Sequence, residues 1–130
     1  MGLWIQISPG AGKPVYTQVV DQISEAIARG DLHSGDKLPA VRKLASELII
    51  NPNTVARAYT LLEQSGLVFT KTGSGTFVSD PKLRHQDAAN LNLLAERMDT
   101  IITRALNIGL TIEEIISMFT ERTRSFSAKS

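Results

Sequence analysis

Apolar residues recur at helical spacing in three stretches of the first half of the chain. The first stretch covers residues 15–29 and is followed by Gly30, at the position where a glycine commonly ends a helix. The second covers about residues 39–48 and begins with a proline, which suits a first helical turn. The third follows Asn51 and Pro52, residue types favoured at a helix start. Because only a few residues separate the second and third stretches, the pattern predicts a helix-turn-helix.

The sequence patterns that predict β-strands cover fewer residues than those that predict helices. Residues 3–7, LWIQI, alternate and are rich in β-forming residues, so they predict a short strand. After the third helix, LVFTKTGSGTFVS contains two β-prone runs, LVFT and TFVS, on either side of KTGSG. This arrangement predicts a hairpin with a glycine-rich tip. A helix-turn-helix that is followed directly by a hairpin has the element order of a winged helix.

The second half of the chain begins with a polar, proline-containing segment, residues 80–89, which we interpret as a linker. Beyond it, apolar residues repeat every three and four positions and predict a long helix. Thr111 and Glu114 have the spacing of a capping box and open a last helix. The fold class predicted is mainly α with a small β-hairpin. A winged helix-turn-helix domain covers residues 1–79, and a two-helix dimerisation segment covers residues 90–130.

The composition narrows the class of protein. Hydrophobic residues make up 42% of the chain and charged residues 21%, which is typical of a globular protein rather than a disordered one. The chain has no cysteine, which excludes disulfides and thiolate zinc sites and suits a cytoplasmic location. The N-terminus lacks the features of a signal peptide, and no apolar run approaches the ~18 residues of a membrane helix. We therefore expect a cytoplasmic protein without a membrane partner.

The distribution of charge along the chain is more informative about a nucleic-acid partner than the net charge is. The net charge is only +1, but seven basic residues lie between Lys37 and Arg84 against three acidic ones. A local basic excess is what contact with phosphates requires. An excess of this size is also compatible with chance, so charge alone does not assign a partner.

The third predicted helix begins with NPNTVARAY, residues 51–59, which combines several features of a DNA-reading helix. A helix N-terminus presents free backbone N–H groups and a positive partial charge. Asn53 and Thr54 offer short polar side chains at the end that would enter a major groove. Arg57 follows away from the apolar stripe, where it can contact guanine or a phosphate. The same residues are also compatible with ordinary helix capping and a solvated arginine.

Two other regions offer candidate DNA contacts. Arg42 and Lys43 point away from the apolar stripe of the second helix; their alternative role is surface solubility. In the hairpin tip, Lys71 adds charge while Gly73 and Gly75 permit close backbone approach, although a plain turn would need the same glycines. The tip lacks the pattern of a nucleotide-binding loop. The predicted DNA contacts are Arg42, Lys43, Asn53, Thr54, Arg57, Lys71, Gly73 and Gly75.

Residues 14–78 resemble the N-terminal domain of GntR-family bacterial transcription regulators. The motifs LPAVRKLA, NPNTVARAY, LLEQSGL and GSGTFV occur in the order and spacing of that family. Ala40 is a minor departure, because many members have serine there. The opening LWIQIS and the form NPNTVARAY are most similar to the YtrA subfamily, which has a short two-helix C-terminal part. Most relatives carry a larger effector-binding domain, and one branch carries an aminotransferase-like domain; this segment is too short for either.

The resemblance implies a sequence-specific DNA-binding regulator, most often a repressor, that binds an inverted-repeat operator. Members of the subfamily often control transporter operons. The positions that touch DNA in the family are matched here by Arg42, Asn53, Thr54, Arg57 and Gly73; Lys71 is added from its charge alone. Neither the resemblance nor the residues identify a small-molecule effector, and we expect no cofactor.

The two C-terminal helices carry apolar stripes that an isolated helix pair cannot bury. Burial of a leucine or isoleucine side chain stabilises a protein by about 1.5–3 kcal/mol, so we expect the stripes to pair with a second copy. The alternative is that both helices fold back on the winged helix of the same chain. The residues predicted to form the dimer interface are Leu91, Leu94, Met98, Ile101, Ile102, Ile115, Ile116 and Phe119.

Two other classes of function compete with DNA binding. An enzyme has little support, because His33 and His85 are isolated in predicted loops and no HExxH-like pair occurs. We therefore expect no catalytic and no metal site. A winged helix that binds only protein is the second alternative. The dependence of binding on salt concentration distinguishes the two, because DNA binding weakens steeply with salt whereas binding through an apolar protein interface does not.

Overall fold

The computed structural model of the chain describes residues 5–80 and 88–127. The chain divides into two compact units, residues 1–84 and residues 85–130. It is mainly helical with a two-stranded antiparallel hairpin, which confirms the predicted fold class of a winged helix with two further helices. The elements in chain order are α1 Val15–Arg29, α2 Val41–Leu48, α3 Pro52–Gln64, β1 Val68–Lys71, β2 Gly75–Val78, α4 Ala88–Asn107 and α5 Ile112–Ser127.

The apolar stripes of α1, α2 and α3 meet in the core of the first unit. Its largest fully buried side chains are Ile23, Leu38, Leu44, Leu62, Val19, Val55 and Val78. Each of these side chains removes apolar surface from water, which is the main favourable contribution to folding. Because the core occupies one face of α3, the opposite face of that helix, which carries Asn53 and Arg57, is exposed.

Two predicted helix ends are confirmed by their hydrogen bonds. Gly30 follows α1 in the left-handed conformation, with a φ of 83°, and its N–H donates to the carbonyl of Ile27 at 3.2 Å. The capping box at the start of α5 is also present. The Thr111 N–H donates to Glu114 Oε1 at 2.9 Å, and the Glu114 N–H donates to Thr111 Oγ1 at 3.1 Å.

The second helix begins at Val41 rather than near Pro39, where the sequence pattern placed its start. The Leu38 N–H donates to the carbonyl of Thr76 at 2.8 Å, which holds the chain before the helix against the hairpin. Ala40 still has extended dihedral angles, with φ −59° and ψ 148°. A contact with a distant strand therefore decides where this helix starts.

The hairpin forms as predicted and will be called the wing, residues 68–78. Its register pairs Val68 with Val78 and Lys71 with Gly75. The backbone of residues 35–38 bonds to β2 with donor–acceptor distances of 2.8 Å. The wing is thereby attached to the loop that leads into α2, which determines how it lies beside that helix.

The short strand predicted for residues 3–7 is wrong in the part that the structure describes, and the first two of its residues lie outside that part. Glutamine side chains replace a neighbouring strand as hydrogen-bond partners. The Gln22 amide bonds the N–H and carbonyl of Gln6 at 2.9 and 2.8 Å, and the Gln18 amide bonds those of Ser8 at 2.8 and 3.2 Å. The segment is extended along α1 because that helix satisfies its backbone groups.

The predicted linker, residues 80–89, falls mostly outside the described part of the chain, since residues 81–87 are not described. α4 begins at Ala88, inside the predicted linker. The domain limits 1–79 and 90–130 therefore stay predictions, next to the observed division into two units.

The second unit leaves most of its apolar side chains exposed. Among the residues predicted to form a dimer interface, Ile115 is only 6% exposed and Ile102 is half-buried, so these two pack within the chain. Ile115 lines a depression of about 200 Å³ between α4 and α5. The other six are 38–60% exposed: Leu91, Leu94, Met98, Ile101, Ile116 and Phe119.

The turn between α2 and α3 contains a strained residue. Ile49 has a φ of 57° and a ψ of 52°, the left-handed conformation, and is 89% exposed. A β-branched residue in this conformation costs roughly 1–2 kcal/mol, and Ile49 buries too little surface to offset that cost. This position would accept glycine or asparagine more readily.

Replacement of Ile49 by glycine should therefore stabilise the protein. We expect a gain of roughly 0.5–1 kcal/mol in the free energy of unfolding, because the relieved strain exceeds the extra freedom of glycine in the unfolded chain. Urea unfolding at one protein concentration measures it. Ile49→Val keeps a β-branched side chain in the same conformation and serves as the control with unchanged stability. A glycine variant less stable than the wild type would contradict the interpretation of strain.

Candidate nucleic-acid interface

The N-terminus of α3 is capped by the chemistry that its sequence predicts. Asn51 is the N-cap residue, and its side-chain oxygen accepts a hydrogen bond from the Asn53 N–H at 2.8 Å. Pro52 occupies the first helical position. Because the Asn51 oxygen is engaged in this cap, the side chains that remain available at this end of α3 are those of Asn53 and Thr54.

These residues line a polar recess of about 220 Å³ at the start of α3. Its walls are formed by Asn51, Asn53, Thr54, Arg57 and Tyr16, the last from the first turn of α1. The guanidinium carbon of Arg57 lies 3.8 Å from the centroid of the Tyr16 ring, a cation–π contact. The recess thus combines a helix N-terminus, two short polar side chains and an oriented cation.

The charge of Arg57 is not neutralised within the first unit. Within residues 5–80, no carboxylate lies within 4.0 Å of its guanidinium, and the side chain is exposed. A guanidinium carries several N–H donors in one plane, which suits two acceptors side by side, such as the N7 and O6 of guanine or two phosphate oxygens. The geometry leaves these donors available to an acceptor from outside the chain.

The two basic residues of α2 lie apart from this recess. Arg42 and Lys43 are exposed in the first turn of α2, on the side opposite Leu44 and Ala45, which are both 1% exposed. They line neither the recess at α3 nor the groove beside the wing. Their position is compatible with contact to a phosphate backbone, and their role stays a prediction.

The three predicted wing residues line a groove of about 430 Å³ between the start of α2 and the hairpin. Lys71 and Gly73 are exposed, and Gly75 is half-buried. A Cβ on Gly75 would lie 2.7 Å from Cε of Lys37, and the φ of Gly75 is +126°. The positive φ favours glycine at position 75, whereas the end of the flexible Lys37 side chain could move aside for a Cβ.

Sequence reasoning missed two residues of these surfaces. Tyr16 lies on α1 but outside its apolar stripe, and an aromatic residue at a polar helical position is the signal that could have pointed to it. Lys37 was counted in the basic excess but not assigned to a surface; its place in the wing groove depends on the pairing of residues 35–38 with β2.

Tyr59 attaches α3 to the chain that enters α2. Its ring is 7% exposed, and its hydroxyl donates to the carbonyl of Pro39 at 2.7 Å. Burial, with the carboxylate of Glu47 as a smaller cause, raises the pKa of this phenol above its usual range. The neutral phenol is thus part of the contact that holds the two helices of the helix-turn-helix in place.

Metal and membrane sites are not found in the described residues. No group of three or more residues able to bind a metal occurs in residues 5–80 and 88–127. His33 lies exposed in a loop, 3.7 Å from a carboxylate oxygen of Asp36, and His85 lies outside the described residues. None of the helices in these two ranges is long and apolar enough to span a bilayer.

The arrangement of α2, α3 and the wing is that of a known family. The sequence pattern of the family described as bacterial regulatory proteins, gntR family, matches residues 15–78. The HTH-type transcriptional repressor YtrA of Bacillus subtilis is 36% identical over 111 residues, which cover 85% of each chain. The chain belongs to the GntR family of bacterial transcription regulators. It is a YtrA-like member, as the resemblance in the sequence implied.

Solved structures agree with this membership. A protein described as a transcriptional antiterminator from Listeria monocytogenes superimposes with a TM-score of 0.84 at 30% identity, over 93% of this chain and 90% of that one. The DNA-binding domain of AraR in complex with its operator ORX1 superimposes with a TM-score of 0.51 at 30% identity, over 55% of this chain and 89% of AraR's. This GntR-family protein is a DNA-binding transcription regulator, and its class is not enzymatic.

Removal of the Tyr59 hydroxyl should weaken the helix-turn-helix. We expect Tyr59→Phe to lower the free energy of unfolding by about 1 kcal/mol at pH 7, because the Pro39 carbonyl loses its partner. The raised pKa means that the folded state favours the neutral phenol. The Tyr59 phenol therefore contributes its full stabilisation below about pH 10, which is the pKa of a tyrosine in the unfolded chain. This stabilisation is lost as the pH rises above that value.

The measurement is urea unfolding at pH 7 and at about pH 10.5, above the unfolded pKa. The wild type should lose more stability between these conditions than Tyr59→Phe, which cannot ionise there. Tyr16→Phe retains Tyr59 and is the matched control that keeps the alkaline loss. Equal alkaline losses in the wild type and Tyr59→Phe would show that this phenol does not couple ionisation to folding.

Proposed function

We propose that this regulator is a repressor that binds an inverted-repeat operator as a homodimer. The observation that carries the proposal is the exposed Arg57 in the recess at the start of α3, with no carboxylate partner among residues 5–80. The repressor role follows the printed name of YtrA of Bacillus subtilis. A cytoplasmic location, where the chromosome is found, belongs to the same proposal.

Base recognition is assigned to the start of α3. Asn53 and Thr54 lie at the end of a helix whose N-terminal residues would contact base edges in the major groove. Arg57 presents a planar fork of donors that matches guanine. A contact of this kind distinguishes one base pair from another by about 1–3 kcal/mol.

Affinity is assigned to the phosphate contacts around that helix. Arg42 and Lys43 at the start of α2 and Lys71 in the wing are exposed cations. Gly73, which is exposed with open space at its Cβ position, allows the wing backbone to approach the DNA closely, whereas the same space at Gly75 is occupied by the Lys37 side chain. Neutralised phosphates release counterions, so these contacts would make binding fall steeply with salt without much effect on sequence preference.

Contact with the second copy of the chain is assigned to the exposed apolar side chains of α4 and α5. Leu94, Met98 and Ile101 follow one another along α4 at spacings of three and four, and each is 45–52% exposed. Apolar stripes of this kind mark association sites, because their exposure to water is unfavourable. A two-fold dimer places two α3 helices on half-sites about one DNA turn apart, which accounts for an inverted-repeat operator.

The regulated genes follow only from the family resemblance, which points to a transporter operon. An effector remains unassigned. The depression lined by Ile101 and Ile115 is apolar, and a second copy of the chain would cover it if the proposed dimer forms. A winged helix that binds only protein is the competing function. It would be favoured if the wild-type protein bound no duplex from a random library.

Site selection from a random duplex library tests operator recognition. At low and moderate salt, the wild type should enrich a palindrome with half-site centres roughly ten base pairs apart. Arg57→Ala should lose about 1–3 kcal/mol of discrimination at one position of each half-site, while its dimeric state and unfolding stay unchanged. Fluorescence anisotropy against the selected operator and single-substitution versions of it measures this loss.

Arg104→Ala is the matched control, because Arg104 is an exposed arginine in the last turn of α4. It should bind the selected operator with wild-type preference. Unchanged affinity and sequence preference in Arg57→Ala would contradict the assignment of α3 as the reading helix. Salt-sensitive binding without an enriched motif would reduce the proposal to nonspecific DNA binding.

The dimer is tested by charge on the apolar stripe. The double variant with Ile101→Asp and Ile116→Asp should sediment as a monomer and bind the operator at least tenfold more weakly, because a buried carboxylate opposes association. Analytical ultracentrifugation and anisotropy measure both effects. Ile49→Asp puts the same substitution on an exposed isoleucine of the first unit and should remain dimeric. A double variant that still sediments as a dimer and binds normally would exclude this interface.

A further inference from the structure

Tyr16 and Arg57 form a contact that neither the cap of α3 nor the core explains. Tyr16 lies in the first turn of α1 and Arg57 in the middle of α3, and their cation–π distance is 3.8 Å. Both side chains line the recess that also contains Asn53 and Thr54. Tyr16 is half-buried and does not belong to the cluster of buried core residues.

The guanidinium carbon of Arg57 lies over the face of the Tyr16 ring, 3.8 Å from its centroid. An aromatic ring contacts the face of a guanidinium, whereas the N–H donors point outward in the plane of the group. A carboxylate partner would instead occupy two donors and neutralise the charge. Tyr16 therefore restricts the orientation of Arg57 without using the groups that a base or a phosphate requires.

The position of the ring is itself well determined. Val19 and Ile23 of α1 are 0% exposed, as is Val55 of α3, so the two helices are held together by the core of the unit. The ring of Tyr16 is attached to this rigid packing one turn before Val19. A long side chain held in advance loses less rotamer freedom on binding, which increases its contribution to recognition.

We propose that Tyr16 is a specificity-determining residue that positions Arg57 for base recognition. The inference rests on the proposed function of α3 as the reading helix. Tyr16 acts through Arg57 and not by a contact of its own with a base. Its ring is the part required, and its hydroxyl is not.

The test uses the whole chain of 130 residues and the operator obtained by site selection. Discrimination is the ratio of dissociation constants for that operator and for a version changed at the base pair that Arg57 reads. We expect Tyr16→Leu to lower discrimination about three- to fivefold, the effect of an exposed cation–π contact. Tyr16→Phe should keep wild-type discrimination. In an Arg57→Ala background, Tyr16→Leu should have no further effect.

A measurement without DNA keeps the test independent of operator binding. The ring of Tyr16 should shift the NMR signal of the Arg57 Nε–H upfield in the free protein. This shift should persist in Tyr16→Phe and disappear in Tyr16→Leu. Equal unfolding midpoints of the two variants would confirm that the fold is retained.

Three results would overturn the inference: wild-type discrimination in Tyr16→Leu, an equal loss in the Arg57→Ala background, or a loss in Tyr16→Phe as large as in Tyr16→Leu. The second result would mean that Tyr16 acts without Arg57, and the third that its hydroxyl is the active group. A wild-type protein with no operator preference is a different outcome. It would overturn the proposed function itself, whereas the NMR comparison would still report whether Tyr16 orients Arg57.

Discussion

The packing of α3 against α1 is the interaction on which the rest of the first unit depends. Val55, Ala58 and Leu62 of α3 are completely buried against a core that includes Val19 and Ile23 of α1. This burial supplies much of the stabilisation and also selects which face of α3 is exposed. One set of apolar contacts therefore both folds the domain and presents its polar recess. The same packing brings Tyr16 of α1 beside Arg57 of α3.

Around this packing, backbone hydrogen bonds place the two other surfaces of the domain. Residues 35–38 pair with β2, so the chain that leads into α2 also supports the wing. Tyr59 bonds the carbonyl of Pro39 and connects α3 to the same segment. The helix-turn-helix and the wing are thus coupled through one short stretch of chain. Lys37 belongs to this stretch, and its side chain lies against Gly75 of β2.

The second unit is organised by a different constraint. Its two helices are amphipathic. In the described part of α5, Ile115 is the residue that is buried. Large apolar side chains remain exposed along both helices. In the first unit, by contrast, the apolar stripes of the helices are buried in the core. The first unit thus buries its apolar stripes within one chain, whereas the exposed apolar side chains of the second unit are the observation that supports the proposed dimer.

The amino-acid sequence by itself determined the order and nature of the elements. The helical spacing in residues 15–29, the Asn51–Pro52 start of α3 and the capping box of α5 were all readable, because they depend on neighbouring residues. The same reading placed Asn53 and Arg57 on an exposed face, with Thr54 half-buried beside them. Tertiary structure alone decided the delayed start of α2, the use of glutamine amides in place of an N-terminal strand, and the positions of Tyr16 and Lys37. These features depend on contacts between segments distant in sequence, which periodicity and local propensity do not encode.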